Sequence, residues 1–125
     1  MLYHAVGEPV EIEWPPGMIL SASLFEEHLQ YLTQEGYQII TVAELAERLK
    51  FGYSVEKFVA MSFDDGYKNN HSDALPLLKK YNAKASFYIV DRDIGKTIYM
   101  KQSQLLDLLA NDMEIGSHTI THAPL

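Results

Sequence analysis

The chain has 125 residues, a formal net charge of −7 at pH 7, 47% apolar residues and 22% charged residues. That is enough for one domain with a real core and too little for two, and the balance is that of a globular protein rather than a disordered, collagen-like or coiled-coil one. An acidic chain without a basic patch is poorly suited to phosphate backbones and anionic membrane surfaces, which sets nucleic acid aside as a partner.

There are no cysteines, so disulfides and thiolate ligands are excluded and any bound metal must be held by His, Asp or Glu. No run approaches the roughly 20 apolar residues that span a bilayer. The start, Met1 to Val6, has neither a basic region nor a signal-peptide core. The expectation is that the protein is not exported by that route, or that a leader has been removed.

In chain order, Leu2 to Val6 is a short β-compatible segment ending at Gly7. Pro9, Pro15, Pro16 and Gly17 then predict a loop, in which Trp14 reads as a packing anchor rather than a sugar platform. Ser23 reads as an N-cap, with Glu26 three residues later completing a capping box. Leu24, Phe25, His28, Leu29, Tyr31 and Leu32 follow at spacings that suit a helix packed on one face. Gly36 stops this helix from the C′ position. His28 is read as a partly buried helix histidine.

Tyr37 to Ile40 predicts a short strand, and Thr41 caps a second helix from Val42 to Leu49, with Glu44 at the capping-box position and Gly52 beyond. Phe58 to Phe63 is apolar on both faces, as a buried parallel strand is. It runs directly into Asp64-Asp65-Gly66. Asn70 to Tyr81 predicts a helix in which Pro76 is tolerated only near the first turn. A second buried strand follows at Ala85 to Val90. Next come a helix at Gln102 to Asn111, with Leu105, Leu106, Leu108 and Leu109 turned inward, and a short strand at Met113 to Ile115.

Strands alternating with helices predict an α/β fold with a mainly parallel sheet and right-handed crossovers. In such folds ligands bind at the carboxyl ends of the strands. Two motifs fall there. Asp64 and Asp65 would point to opposite faces of a strand, but Gly66 permits a turn that brings both toward one site. Such a pair is easier to hold beside a cation, one carboxylate as ligand and the other free as a base. Taken alone it reads equally well as a turn with both groups in water. His118 and His122 can converge in a tight loop, since Thr119, Ile120 and Thr121 are β-branched and Pro124 follows. Taken alone, they also read as two unrelated surface histidines. Together, two imidazoles and one carboxylate make a three-ligand set for a divalent metal with a position left for water. The second carboxylate would serve as general base, and the whole suits metal-assisted hydrolysis of an acyl group.

Ser62-Phe63-Asp64-Asp65-Gly66-Tyr67 closely resembles the first motif of the polysaccharide deacetylases with a NodB-like domain, carbohydrate esterase family four. Ser117-His118-Thr119-Ile120-Thr121-His122 resembles their second motif, and Ala83 to Ile89 looks like the strand between. The upstream half, with Tyr3-His4, is also similar to members acting on β-1,6-linked N-acetylglucosamine polymers. The resemblance implies Asp64 as general base and Asp65, His118 and His122 as ligands of a divalent metal, zinc first, with cobalt, nickel or iron also suited. It further implies that the Tyr67 backbone N–H stabilises the oxyanion while its side chain need not take part. His4 and His71 match no ligand position, and His71 reads as a polar residue near a helix start.

The implied fold is a distorted (β/α) barrel, of which this chain would form one incomplete domain over residues 1–125. The implied substrate is an N-acetylglucosamine polysaccharide, and the implied setting is the cell envelope or outside the cell. The family's later motifs, an arginine, an aromatic wall and a histidine acid, are expected beyond Leu125 with no upstream replacement. Two readings therefore stand beside the N-deacetylase: a catalytically incomplete metal- or glycan-binding fragment, and an assembly module. A half-barrel also leaves a sheet edge and apolar surface exposed, from which a homo-oligomer or a completing partner segment is expected.

Overall fold

A computed structural model describes residues 1–8 and 17–123. Pro9, Trp14, Pro15, Pro16 and Pro124, which figure in the sequence reading, lie outside the described residues. The elements are β1 (Leu2–Tyr3), β2 (Ala5–Val6), β3 (Ile19–Leu20), α1 (Ala22–Gln34), β4 (Gln38–Ile40), α2 (Val42–Phe51), β5 (Phe58–Ala60), β6 (Ser62–Asp65), α3 (Leu75–Lys80), β7 (Ser86–Ile89), α4 (Gln102–Ala110) and β8 (Glu114–Ser117). A π-helical turn at Asn70–Ala74 leads into α3, and a 3₁₀ turn at Asp91–Asp93 follows β7.

Every strand pairing is parallel: β1-β6-β7-β8 form one sheet, and β2-β3 and β4-β5 form two short ones. This is the α/β architecture the alternation predicts. Among the described residues, β8 pairs only with β7 and the barrel is not closed. No helix among them is long and apolar enough to cross a membrane.

The apolar run from Phe58 to Phe63, expected as one strand, serves two sheets. β5 pairs with β4, whereas β6 pairs with β1 and β7. Met61 joins them, its N–H donating to Ile40 O and its carbonyl accepting from Ser86 N–H. The strand then continues through both aspartates, because β7 offers ladder partners as far as Ile89.

One register row carries Tyr3, Phe63, Phe87 and Ile115 across the sheet. Phe63 stacks on Phe87 at 4.8 Å and on Tyr3 at 5.4 Å, and Phe25 of α1 meets Tyr3 and Phe63 edge-on. Such aromatic pairs contribute about 0.5–1.5 kcal/mol each beyond their burial. Because side chains alternate along a strand, Asp64, Tyr88 and Gly116 share the next row.

Several helix details depart from expectation. The N-cap of α1 is Ser21, whose Oγ accepts from Leu24 N–H, and not Ser23. Glu26 makes no capping box; it accepts from Lys80 Nζ and Tyr81 Oη. Phe25, Leu29 and Leu32 are the buried face of α1, whereas Leu24 and Tyr31 are exposed. In α4 only Leu108 is fully buried and Leu105 partly so, while Leu106 and Leu109 face out. Each helix covers the sheet from one side, so residues i and i+3 are used and their neighbours are not. The helix expected from Asn70 begins as a π turn, so that Pro76, which has no N–H, falls in the first turn of α3.

Thr41 caps α2 as expected, accepting from Glu44 N–H. The first free N–H groups of this helix are satisfied by the sheet: Val42 N–H donates to Ser86 Oγ and Ala43 N–H to the Glu114 carboxylate, which also accepts from Ser86. The helix is thereby pinned to the starts of β7 and β8. At the other end of β8, a Cβ on Gly116 would lie 2.5 Å from two Tyr88 ring atoms. Gly116→Ala is expected to lower stability by about 1–3 kcal/mol through overpacking, read as a lower urea midpoint at unchanged slope.

Candidate metal centre and active site

The parallel register aligns Asp65, Ile89 and Ser117 in one row at the carboxyl ends of β6, β7 and β8. His118 N–H continues that ladder by donating to Ile89 O. The next residues leave the sheet in a tight loop, as the β-branched run predicts, with Thr119 at φ 67° and His122 at φ 56°. His122 N–H closes the loop on Thr119 Oγ1 at 2.8 Å. The two imidazoles end with ring centroids 4.9 Å apart.

On β6 the turn begins one residue earlier than expected. Asp65 itself has φ 71°, followed by Gly66 at φ 77°. Aspartate tolerates this left-handed region better than most residues, and the change of direction brings both carboxylates to one side. His118 Nε2 is 3.9 Å from Asp64 Oδ2 and 3.5 Å from Asp65 Oδ1, and His122 Nε2 is 3.5 Å from the same Asp65 oxygen. Gly66 has a second reason to be glycine, since a Cβ there would lie 2.9 Å from Ile89 Cδ1.

Asp65 is buried, and its Oδ1 has no hydrogen-bond partner. A buried carboxylate oxygen without a donor costs several kcal/mol. Here it faces two Nε2 atoms just beyond hydrogen-bond range. That spacing is close to the edge of a tetrahedron with metal–ligand bonds of about 2.0–2.2 Å. Among the described residues, Asp65, His118 and His122 form a group whose candidate ligand atoms lie within 4.8 Å of one another. The donor set of one carboxylate and two imidazoles therefore fits a divalent metal.

Asp64 stands outside that set. Burial pushes its carboxyl above the usual aspartate range, opposed by the nearby imidazoles of His118 and then His4. Tyr67, whose side chain need not take part on the reading above, is buried beside the Asp65 carboxylate. Burial, then the Asp65 charge, pushes the phenol upward. Its ring stacks on Tyr99 at 5.1 Å. Bridge bonds from Lys68 N–H to Ile98 O and from Met100 N–H to Gly66 O flank its backbone.

Four of the five named site residues thus converge directly, and Tyr67 lines one cavity with Asp65 and His122. His71 lies in the π turn, as its helix-start reading implies, and bonds Asp107 and Gln104 of α4, away from the centre. His28 is half-buried in α1 and bonds Tyr3 Oη at 3.0 Å. Two participants escaped the sequence reading. His4 follows Tyr3, which pairs with Phe63, and its imidazole is among the groups that act on the Asp64 carboxyl. Tyr99 reaches the site only through its bridge with Tyr67. The local signals for His4 are its place within the β-compatible segment from Leu2 to Val6 and the Tyr3-His4 pair noted above.

Fold and site together define a parallel α/β domain with a carboxylate and two imidazoles gathered at its strand ends, in an arrangement that could hold a metal. The polysaccharide deacetylase family model matches residues 52–125. The chain belongs to that family. It is 32% identical over 126 residues to YxkH of Bacillus subtilis (strain 168), covering 100% of this chain and 43% of that protein. It is 31% identical over 65 residues to the poly-beta-1,6-N-acetyl-D-glucosamine N-deacetylase of Escherichia coli (strain K12), covering 51% of this chain and 10% of that protein. The solved structure of Streptococcus pyogenes deacetylase PplD in complex with acetate superposes with a TM-score of 0.84 at 26% identity, over 98% of this chain and 56% of that one. The chain thus spans about half the length of these two full-coverage relatives or less.

In metal-free protein the buried Asp65 Oδ1 meets no hydrogen-bond donor. Asp65→Asn keeps a residue that tolerates positive φ while removing the charge. It is expected to raise metal-free stability by about 1 kcal/mol, measured by urea unfolding in chelator.

Proposed function

We propose that this chain carries the metal centre and general base of a hydrolase that removes N-acetyl groups from an N-acetylglucosamine polysaccharide. The observation that carries the reading is the unpartnered, buried Asp65 Oδ1 between His118 Nε2 and His122 Nε2, with Asp64 alongside. Asp65, His118 and His122 would hold a divalent metal, zinc first, with cobalt, nickel or iron also suited to the donors. Bound there, the metal supplies a Lewis acid and lowers the pKa of water toward about 7.

Asp64, mostly buried but outside the ligand set, takes the proton of the attacking water as general base. The Tyr67 backbone N–H, held in place by the flanking bridge bonds, donates to the oxygen that gains charge as the amide carbonyl is attacked. When the C–N bond breaks, the leaving amine needs a proton and acetate departs. No described residue is assigned to that step. The E. coli relative's stated substrate supports a β-1,6-linked N-acetylglucosamine polymer.

A second reading is favoured by the chain's share of its relatives' length: one incomplete domain over residues 1–125 that binds metal or glycan without turnover. The open β8 edge, with Leu106, Leu109 and Ile120 exposed, supports closure by a second copy or a further segment. Light scattering is expected to report a species larger than a monomer.

The deciding experiment is acetate release from N-acetylglucosamine oligomers. The purified chain is expected to be active, to lose activity in chelator, and to fall at least about 100-fold in kcat for Asp64→Asn, with metal content retained. His118→Ala is expected to lose the metal. Metal binding without acetate release would establish the second reading.

A further inference from the structure

The segment between β7 and α4 touches both halves of the centre. On one side, Asp91 N–H donates to Thr119 O at 3.2 Å and Arg92 N–H to Ile120 O at 3.1 Å, gripping the loop that carries His118 and His122. On the other side, Met100 N–H donates to Gly66 O at 3.0 Å and Lys68 N–H to Ile98 O at 2.8 Å, gripping the turn after Asp65. Tyr99, within the same segment, stacks on Tyr67, which lines one cavity with Asp65. The distance from Asp65 to His122 therefore depends on how this segment is folded.

Its fold is set at the middle. Asp93 is buried, and its Oδ1 accepts from Lys96 Nζ at 2.6 Å, with Arg92 Nε at 3.7 Å. Lys96 N–H donates to Asp93 O, Tyr99 N–H to Lys96 O, and Gly95 N–H to Met100 O. The Asp93–Lys96 pair thus links the 3₁₀ turn holding one motif to the strand-like end holding the other. Asp93 also lines a cavity of about 180 Å³ together with Asp65, Tyr67, Arg92, Tyr99 and His122. No other buried carboxylate outside the ligand set has this placement among the described residues.

We propose that Asp93 and Lys96 are positioning residues for the metal centre: their ion pair fixes the span of the β7–α4 segment, and through it the separation of Asp65 from His122. The inference rests on the metal reading above. Groups that orient ligands from outside the coordination sphere change metal affinity by about 10–100-fold when removed. A carboxylate that served only to stabilise the loop would leave ligand geometry alone.

The test uses the full chain as Asp93→Asn, Lys96→Met and Lys96→Arg, with two readouts. In metal-free protein, amide hydrogen exchange is measured at Lys68, Asp91, Arg92 and Met100. In titrations with Co²⁺, affinity and the visible ligand-field spectrum are recorded. Asp93→Asn and Lys96→Met are expected to lose protection at those four amides but not in β6 and β7. They are expected to bind Co²⁺ about 10-fold more weakly or worse, with a changed spectrum, while Lys96→Arg stays close to wild type. Lys96→Met alters a half-exposed side chain, so it keeps the test open should Asp93→Asn fail to fold. Unchanged affinity and spectrum in Lys96→Met would overturn the proposal, whether or not protection is lost. If the wild type binds no Co²⁺, the ligand assignment itself fails, and the positioning role falls with it.

Discussion

The parallel register of β6, β7 and β8 is the constraint on which everything else depends. It places Asp65, Ile89 and Ser117 at one level, so that motifs far apart in sequence leave the sheet side by side. A slip of one residue in any of these pairings would turn every side chain to the other face. The row below resists such a slip, because Tyr3, Phe63 and Phe87 stack across three strands and are closed by Phe25. The core thus positions the chemistry by fixing register rather than by touching the site.

The centre itself is built against stability. Two adjacent aspartates enter a largely buried position, one with an oxygen that no donor satisfies, and three residues of the two turns take left-handed conformations without being glycine. Strain and unmet polar groups of this kind persist only where surrounding structure over-determines them. The sheet supplies that below, and the β7–α4 segment supplies it from the side with backbone hydrogen bonds to both motifs. A buried carboxylate facing two imidazoles becomes favourable once a cation neutralises it, so the cost in the metal-free fold and the fitness of the site share one cause.

Much of this was legible in the chain. The alternation of apolar runs with capped helical stretches specified a parallel α/β sheet, because burial on both faces requires continuous apolar strands. The two motifs specified their own residues, since Asp-Asp-Gly after a buried strand and a β-branched spacer between histidines both dictate sharp turns. What was misread was local and had local competitors. Ser21 and Ser23 both suit an N-cap, and only the helix start decides between them. Glu26 suits a capping box until Lys80 and Tyr81 arrive from α3. Four leucines in α4 look alike until a single sheet face selects one phase of the helix.

By itself, the sequence determined which residue types could hold a metal, the alternation of strands with helices, and the turns that expose those residues, because each follows from chemistry within a few residues. Tertiary structure alone decided that His4 comes near enough to act on Asp64, that Tyr67 lies beside Asp65, and that Asp91 through Met100 spans both motifs. Those placements come from pairing between segments distant in the chain. They rest on backbone N–H and C=O groups, which every residue carries alike, so side-chain identity leaves no trace of them.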